Sequence, residues 1–207
     1  MTTKNMDGSN IKVLAVIAKF KEDVSWVKEL SCPYKIYDKD KDIPNVGREA
    51  ETYLRYIIEH YDNLPDHVVF LQGHPFDHLW EKNINYLNKC IQSINNSDVT
   101  RSLNYVVQES HNIYTRTRES FKALFDSPLS DTVNVCWGAQ YIVPKSCILN
   151  RPKEFYEVIR KVMVDVNNTQ YNNMTNCLVC PWTLERMWLY IFDKNIKTKD
   201  VKYEDLL

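Results

Sequence analysis

The residues able to do chemistry gather in a few short stretches of this 207-residue chain. Asn45-Val46-Gly47-Arg48-Glu49 has the form of a helix start. Free amide groups and the positive end of the helix dipole would attract an anion there, and Arg48 adds a fixed charge with forked donors, so phosphate is the natural ligand. The alternative is a capped helix carrying a solvated Arg–Glu pair. The run matches neither G-x-x-x-x-G-K-S/T nor G-x-G-x-x-G. His74-Pro75-Phe76-Asp77-His78 has the outline of an H-x-x-E-H zinc motif with Asp in place of Glu. A zinc hydrolase needs both histidines on one helical face and a distant third ligand. Pro75 marks a helix start rather than an interior, and no third ligand stands out. A loop holding Gln72, His74 and Asp77 near a substrate, or a purely structural loop, is the better expectation. Cys177-Leu178-Val179-Cys180 is a lone C-x-x-C without a second pair, which predicts buried thiols. Glu185 lies in an apolar helix between Trp182 and Trp188. A carboxylate among aromatics can have a raised pKa and act as a general base, or it can sit in a salt bridge to Arg186 or Arg151.

The four glycines sharpen the choice. Apart from Gly8, they are Gly47, Gly73 and Gly138, each at a junction between predicted elements. Glycine-poor chains keep glycine where positive φ or close backbone approach is needed. Three tight turns would suffice, but two of the three fall on one rim of the predicted sheet.

That rim follows from the order of elements. Val13–Ala18 is a continuous apolar run expected as a strand buried on both faces. Asp23 is placed to cap a short helix, and Tyr34–Lys39 reads as a second strand. Val46, Ala50, Tyr53, Leu54, Ile57 and Tyr61 recur at helical spacing, which predicts an amphipathic helix over 46–61 with Asn45 as N-cap. His67–Gln72 is the third strand. The alternation predicts a single α/β domain, 11–207, with a central, mostly parallel sheet flanked by helices, after a loose tail at 1–10. Ligands bind beyond the carboxyl ends of such strands, here Lys19–Asp23, Tyr37–Lys39 and Gln72–His78, with the Asn45–Arg48 helix start beside them. The second half predicts a helix at 79–94, a turn at Asn95–Thr100, a strand at 105–109 and a helix at 115–125. Two short strands follow within 133–145, broken at Gly138. Pro152 opens a helix, 167–173 is a loop, 182–192 is an apolar helix, and a charged tail begins at Asp193.

Bulk properties bound the function classes. A net charge of −1 without a polybasic tract argues against a nucleic-acid partner. No run reaches the roughly 18 apolar residues of a membrane span. The polar first ten residues lack the apolar core of a signal peptide, so a cytoplasmic protein is expected. The six cysteines are scattered, as reduced thiols would be.

Residues 11–192 contain, in order, IAKFKEDVSWV, IYDKDKDIPNVGREAETYLRYIIEHYDNLPDHVVFLQGHP, WGAQYIVPKSCILNRPKEFYEVI and LERMWLYIF. These blocks resemble those of the domain-of-unknown-function 3431 family, whose members occur in fungi, plants, algae, bacteria and large DNA viruses. That family is similar in layout to GT-A glycosyltransferases. The resemblance implies a GT-A-like, Rossmann-like fold with a nucleotide-binding half, 11–78, and an acceptor-side half, 79–207. It implies a nucleotide-sugar donor, a UDP-sugar foremost, and a glycan or protein-linked acceptor hydroxyl. Gln72-Gly73-His74 stands where an Asp-x-Asp metal motif is expected, leaving Asp77 as the nearby carboxylate for Mn2+ or Mg2+. By the same resemblance, Lys19, Asp23, Asp38, Asn45, Gly47, Arg48, Gln72, Gly73 and His74 would hold the donor. Trp137, Gly138, Gln140 and Arg186 would meet the acceptor, and Glu185 would be the base. Lys19, Arg48 or a lysine of the C-terminal tail would stabilise the leaving phosphate. The second expectation is a non-catalytic nucleotide- or glycan-binding module on the same fold; the zinc hydrolase is the third.

Overall fold

The computed structural model describes residues 12–94, 98–110, 115–127, 130–167 and 178–206. The predicted tail at 1–10, part of the turn at 95–100, Cys177 and most of the 167–173 loop lie outside the described residues. In chain order the first elements are β1 (Val13–Lys19), β2 (Tyr34–Asp38), α1 (Arg48–His60), β3 (His67–Gln72), α2 (Ile84–Gln92), β4 (Arg101–Ser102) and β5 (Val106–Ser110). They are followed by α3 (Thr115–Leu124), β6 (Thr132–Cys136), β7 (Tyr141–Pro144), α4 (Lys145–Leu149), α5 (Lys153–Asn167) and α6 (Pro181–Ile191). Short 3-10 turns cover Ser25–Glu29, Tyr61–Asn63, Pro75–His78 and Tyr203–Leu206.

The central sheet has five strands in the order β2-β1-β3-β7-β4. Strand side chains alternate between faces, and the core records it. Leu14, Val16 and Ala18 of β1 join Val68 and Phe70 of β3 in one buried cluster, while Ala15, Ile17, Val69 and Leu71 join the other. The first cluster is closed by α1, α5 and α6 through Tyr53, Ile159 and Trp188; the second by α2 and the Ser25–Glu29 turn through Leu87 and Trp26. Arg151 is buried against the open end of α6, donating to the carbonyls of Ile191 at 3.0 Å, Tyr190 at 3.1 Å and Asp193 at 2.7 Å. It adds hydrogen bonds to carbonyls at the helix C-terminus, where the intrahelical ladder runs out.

The expected mostly parallel sheet is corrected to a mixed one. β1 is parallel to β2 and β3, but β7 runs antiparallel to both β3 and β4. An apolar run signals burial on both faces, whatever its direction. Direction comes from the connection: β5 and β6 form a separate antiparallel pair, and β6 hands over to β7 through the four residues 137–140. The consequence matters for the site. Phe70 pairs with Tyr141, so the residues just before β7 reach the same rim as those just after β3.

Several boundaries shift for local reasons. α1 starts at Arg48 with Gly47, not Asn45, at the N-cap. Gly47 and Arg48 both take left-handed φ, 63° and 48°, so the helix cannot begin at Val46. α2 starts at Ile84 rather than 79, because residues 75–78 form a 3-10 turn and the Asn83 side chain caps the helix by accepting from the Tyr86 amide at 2.9 Å. Pro181 occupies the first turn of α6, and Pro152 directly precedes α5. The tail beyond Asp193 returns to the body: Thr198 bridges Phe125, and Val201 and Leu206 are buried. Cys136, Cys147 and Cys180 are buried free thiols; Cys32 and Cys90 are half-buried. No helix among the described residues is long and apolar enough to cross a membrane.

Candidate functional site

At the carboxyl ends of β1 and β3 the sheet opens into a cleft of about 610 Å³. One wall is the start of α1, with Asn45, Gly47, Arg48 and Glu49; the opposite wall is the β6–β7 turn, with Trp137 and Gly138. Pro181, Trp182 and Glu185 of α6 close it from above, and Ala18, Glu22, Lys39, Gln72 and His78 line the strand ends. The three stretches singled out in the sequence, around Gly47, Gln72 and Gly138, therefore meet over one cavity, and Glu185 joins them.

Each wall is held by unusual backbone. Gly138 has φ 82° and Ala139 φ 49°, a second left-handed pair matching Gly47–Arg48 across the cleft. The Gly138 amide donates to Glu185 Oε1 at 2.7 Å. A Cβ at Gly138 would lie 2.5 Å from both Cβ and Cγ of His78, so side-chain space and φ both demand glycine. Replacing Gly138 with alanine is expected to cost roughly 1–3 kcal/mol of stability and to displace Glu185. Thermal unfolding reads the first effect, and loss of ligand-induced stabilisation the second.

Glu185 is drawn toward neutrality by burial, which raises its pKa above the ordinary carboxylate value; the Gly138 amide and the charges of Arg186, His78 and Arg48 oppose the shift. Glu49, which the sequence did not flag as a site residue, is raised further, to about 7, chiefly by desolvation, with the charge of Glu185 adding to it. Two carboxyls in one cleft are thus shifted in the same direction, toward the neutral form. Beside them runs an aromatic–cation stack. The Arg186 guanidinium lies 4.8 Å from the Trp137 ring centre and 5.9 Å from that of Trp182, and Arg48 lies 6.0 Å from Trp182 on the open side. Arg186 is buried and donates to the Trp182 carbonyl at 2.9 Å. It fixes the aromatic wall rather than facing the cavity.

Lys39, on the Tyr37–Lys39 strand end that the sequence placed on the rim but without a role of its own, is the other added site residue. Its Nζ lies 2.7 Å from the Val46 carbonyl and 3.2 Å from Glu51, and it reaches the cleft from just beyond β2. Glu51 is fully buried and also receives Arg55 Nη2 at 2.7 Å and Arg160 Nη2 at 2.7 Å. No motif marks Glu51; only the packing of α5 on α1 brings Arg160 to it.

Other expected ligands are used elsewhere. Lys19 and Asp38 pair with each other at 2.5 Å and lie outside the cleft. Asp23 is not the expected N-cap, a place that Val24 takes, but stands one residue ahead of it and accepts from the Ser25 amide and hydroxyl at 2.9 Å each. Gly73 lies beneath the rim, its carbonyl receiving the Trp26 indole N–H at 3.0 Å; a Cβ there would come within 2.6 Å of Glu22 Oε2. Gln140 is buried and donates to the Pro75 carbonyl at 3.0 Å, stapling the post-β3 loop to β7. His74 and Asp77 are exposed and 3.7 Å apart, and neither lines the cleft that His78 lines. Among the described residues no group of three His, Cys, Asp or Glu side chains is placed to hold a metal ion, so the H-x-x-D-H stretch does not assemble a zinc site there. The tail lysines Lys194 and Lys199 bind Asp98 and the Lys122 carbonyl, away from the cleft residues.

Fold and site together define a mixed α/β protein whose strand-end rim, where such proteins bind ligands, carries a cleft of charged and aromatic residues. The chain belongs to the DUF3431 family, a protein family of unknown function, whose model matches residues 14–204. No curated protein and no solved structure matches it.

Proposed function

We propose that this protein is a cytoplasmic glycosyltransferase with a GT-A-like arrangement, moving a sugar from a nucleotide-sugar donor such as a UDP-sugar to a hydroxyl of a glycan or protein-linked acceptor. The observation that carries the reading is Glu185: a carboxyl with a raised pKa, oriented by the Gly138 amide inside a cleft that also presents Arg48 and Lys39. In an inverting transfer, Glu185 takes the proton of the acceptor hydroxyl while that oxygen bonds to the anomeric carbon. The bond from that carbon to the diphosphate oxygen breaks, and its electron pair leaves with the nucleoside diphosphate. Arg48 and Lys39 would offset the charge that develops there, and the aromatic wall of Trp137 and Trp182 would seat a sugar ring. This chemistry needs positioning and charge, with no covalent intermediate.

Glu49 provides the test of the anion site. Its charge, present above about pH 7, opposes a diphosphate; its protonation removes that opposition. Nucleoside diphosphates should therefore raise the melting temperature, with or without Mn2+ in parallel wells, and affinity should tighten about three- to tenfold from pH 8 to pH 6. Glu22, Lys39, Arg48, His78 and Glu185 share the cleft. Comparing wild type with Glu49→Gln isolates the Glu49 contribution, because the variant keeps all of them. The variant should bind about three- to tenfold more tightly than wild type at pH 8, and the gap should close toward pH 6. If no nucleoside diphosphate shifts the melting temperature at either pH, the donor assignment is lost.

A second reading, a non-catalytic glycan- or nucleotide-binding module, draws on Gln72-Gly73-His74 at the place where metal-binding aspartates would be expected. It predicts nucleotide or glycan binding without release of nucleoside diphosphate from any sugar donor.

A further inference from the structure

Beyond the cleft, two aromatic side chains stand out because they are large, exposed and stacked on each other. Trp80 is 55% exposed and Tyr105 49%, with ring centres 3.8 Å apart at 39°. Most large apolar side chains of the protein are buried, so a half-exposed indole in contact with a half-exposed phenol asks for an explanation. Both rings are carried by segments that belong to the cleft. Trp80 follows His78, which lines the cavity, and Leu79, which is buried and anchors the segment. Tyr105 follows Asn104, whose Nδ2 donates at 3.1 Å to the carbonyl of Trp137, a cleft-wall residue. Asn104 is further fixed by the Ser102 hydroxyl, which accepts from its amide at 3.1 Å, and Asn104 Oδ1 accepts from the Tyr105 amide at 2.7 Å. The pair is therefore a preorganised platform tied to the acceptor side of the cleft, and a ligand would order little on binding it.

We propose that Trp80 and Tyr105 form a carbohydrate subsite that holds a pyranose ring of an extended acceptor, one or more sugars removed from the transfer point. This rests on the glycan part of the function proposed above. A pyranose presents an apolar face of C–H groups, which packs on an aromatic ring, and a rim of hydroxyls, which needs nearby polar partners. Glu81, exposed and next to Trp80 in the chain, is a polar partner of that kind. The immediate flanks, Glu81 and Lys82, sum to zero charge. A nucleic acid would stack its bases on such rings but would also need cations along its backbone. An apolar protein partner would need a wider apolar surface. Val106 and Val107, the neighbouring exposed residues, point to opposite faces of β5, so they do not extend the platform together.

The test is direct binding of the full chain to an array of linear oligosaccharides from disaccharides to hexasaccharides. Fluorescence titration with the best binder then compares wild type with Trp80→Ala, Trp80→Phe and Tyr105→Ala. The expected result is binding that strengthens with chain length, weakens about tenfold or more in Trp80→Ala and Tyr105→Ala, and is largely kept in Trp80→Phe. The melting temperature shift produced by nucleoside diphosphates should not change in these variants. Glycan binding that depends on Trp80 in a protein that no nucleoside diphosphate stabilises supports the subsite while removing the transferase reading. Equal glycan binding by wild type and Trp80→Ala overturns the proposal. So does the absence of any array binder, or Trp80-dependent binding of oligo-dT or an apolar peptide in place of glycans.

Discussion

Glutamine in place of Glu185 is expected to lower sugar transfer by about 10²- to 10⁴-fold, the range typical of losing a positioned general base. Glutamine keeps the size of the side chain and can still accept the Gly138 amide hydrogen bond through its oxygen, so the β6–β7 turn and the cleft should persist. What disappears is basicity. Burial raises the pKa of Glu185 above that of a free carboxylate, and a base with a higher pKa takes the acceptor proton more readily once it is ionised. The sign follows from that shift. Transfer by the wild type should rise as pH climbs through the raised pKa of Glu185 and then level off, and Glu185→Gln should lose that limb. The loss should fall on kcat with KM for the donor nearly unchanged, because the proton is transferred only on the way through the transition state. Full transfer by the variant, or an unchanged pH limb, would remove Glu185 from the mechanism while leaving the anion site standing.

Glu51→Gln should destabilise the fold by about 3–5 kcal/mol, the cost of removing one partner from a buried ion pair. Glu51 is fully buried, and Lys39, Arg55 and Arg160 all converge on it. Burial alone would raise its pKa, but the charge of Lys39 and the hydrogen bonds from Arg160 and Arg55 more than offset this, and the carboxyl is held below its ordinary value. A carboxyl depressed in the folded state contributes stability above its unfolded pKa and loses it as pH falls through the folded value. Wild-type stability should therefore drop in acid below the usual carboxylate range, and the variant should show less of that drop. Urea unfolding at pH 7 and across the acid range checks both statements. A variant within about 0.5 kcal/mol of wild type would mean that solvent replaces the carboxylate freely, against the packing of α5 on α1.

Local chemistry determined a good deal from the sequence alone. The apolar runs at Val13–Ala18 and His67–Gln72 are β1 and β3, because unbroken apolar side chains through their middles, several of them β-branched, leave no solvent face and suit the pleat. Scarce glycine marked the turns at Gly47 and Gly138, because a left-handed backbone has a strong residue preference. A carboxylate among tryptophans marked Glu185, because apolar neighbours shift a pKa wherever they occur.

The tertiary structure decided what depends on direction and distance. Nothing in Tyr141–Pro144 says that β7 runs antiparallel to β3, yet that reversal carries Gly138 to the rim and sets its amide against Glu185. Lys19 and Asp38, each a plausible ligand alone, are register partners on β1 and β2 and so bind each other. Lys39 differs from Asp38 by one position along the chain, and that single step takes its side chain to the cleft and to Glu51. Residue type limits which chemistry a side chain can do; whether it faces a ligand, a neighbour or solvent is set by which face of which element it occupies, and only the packed chain specifies that.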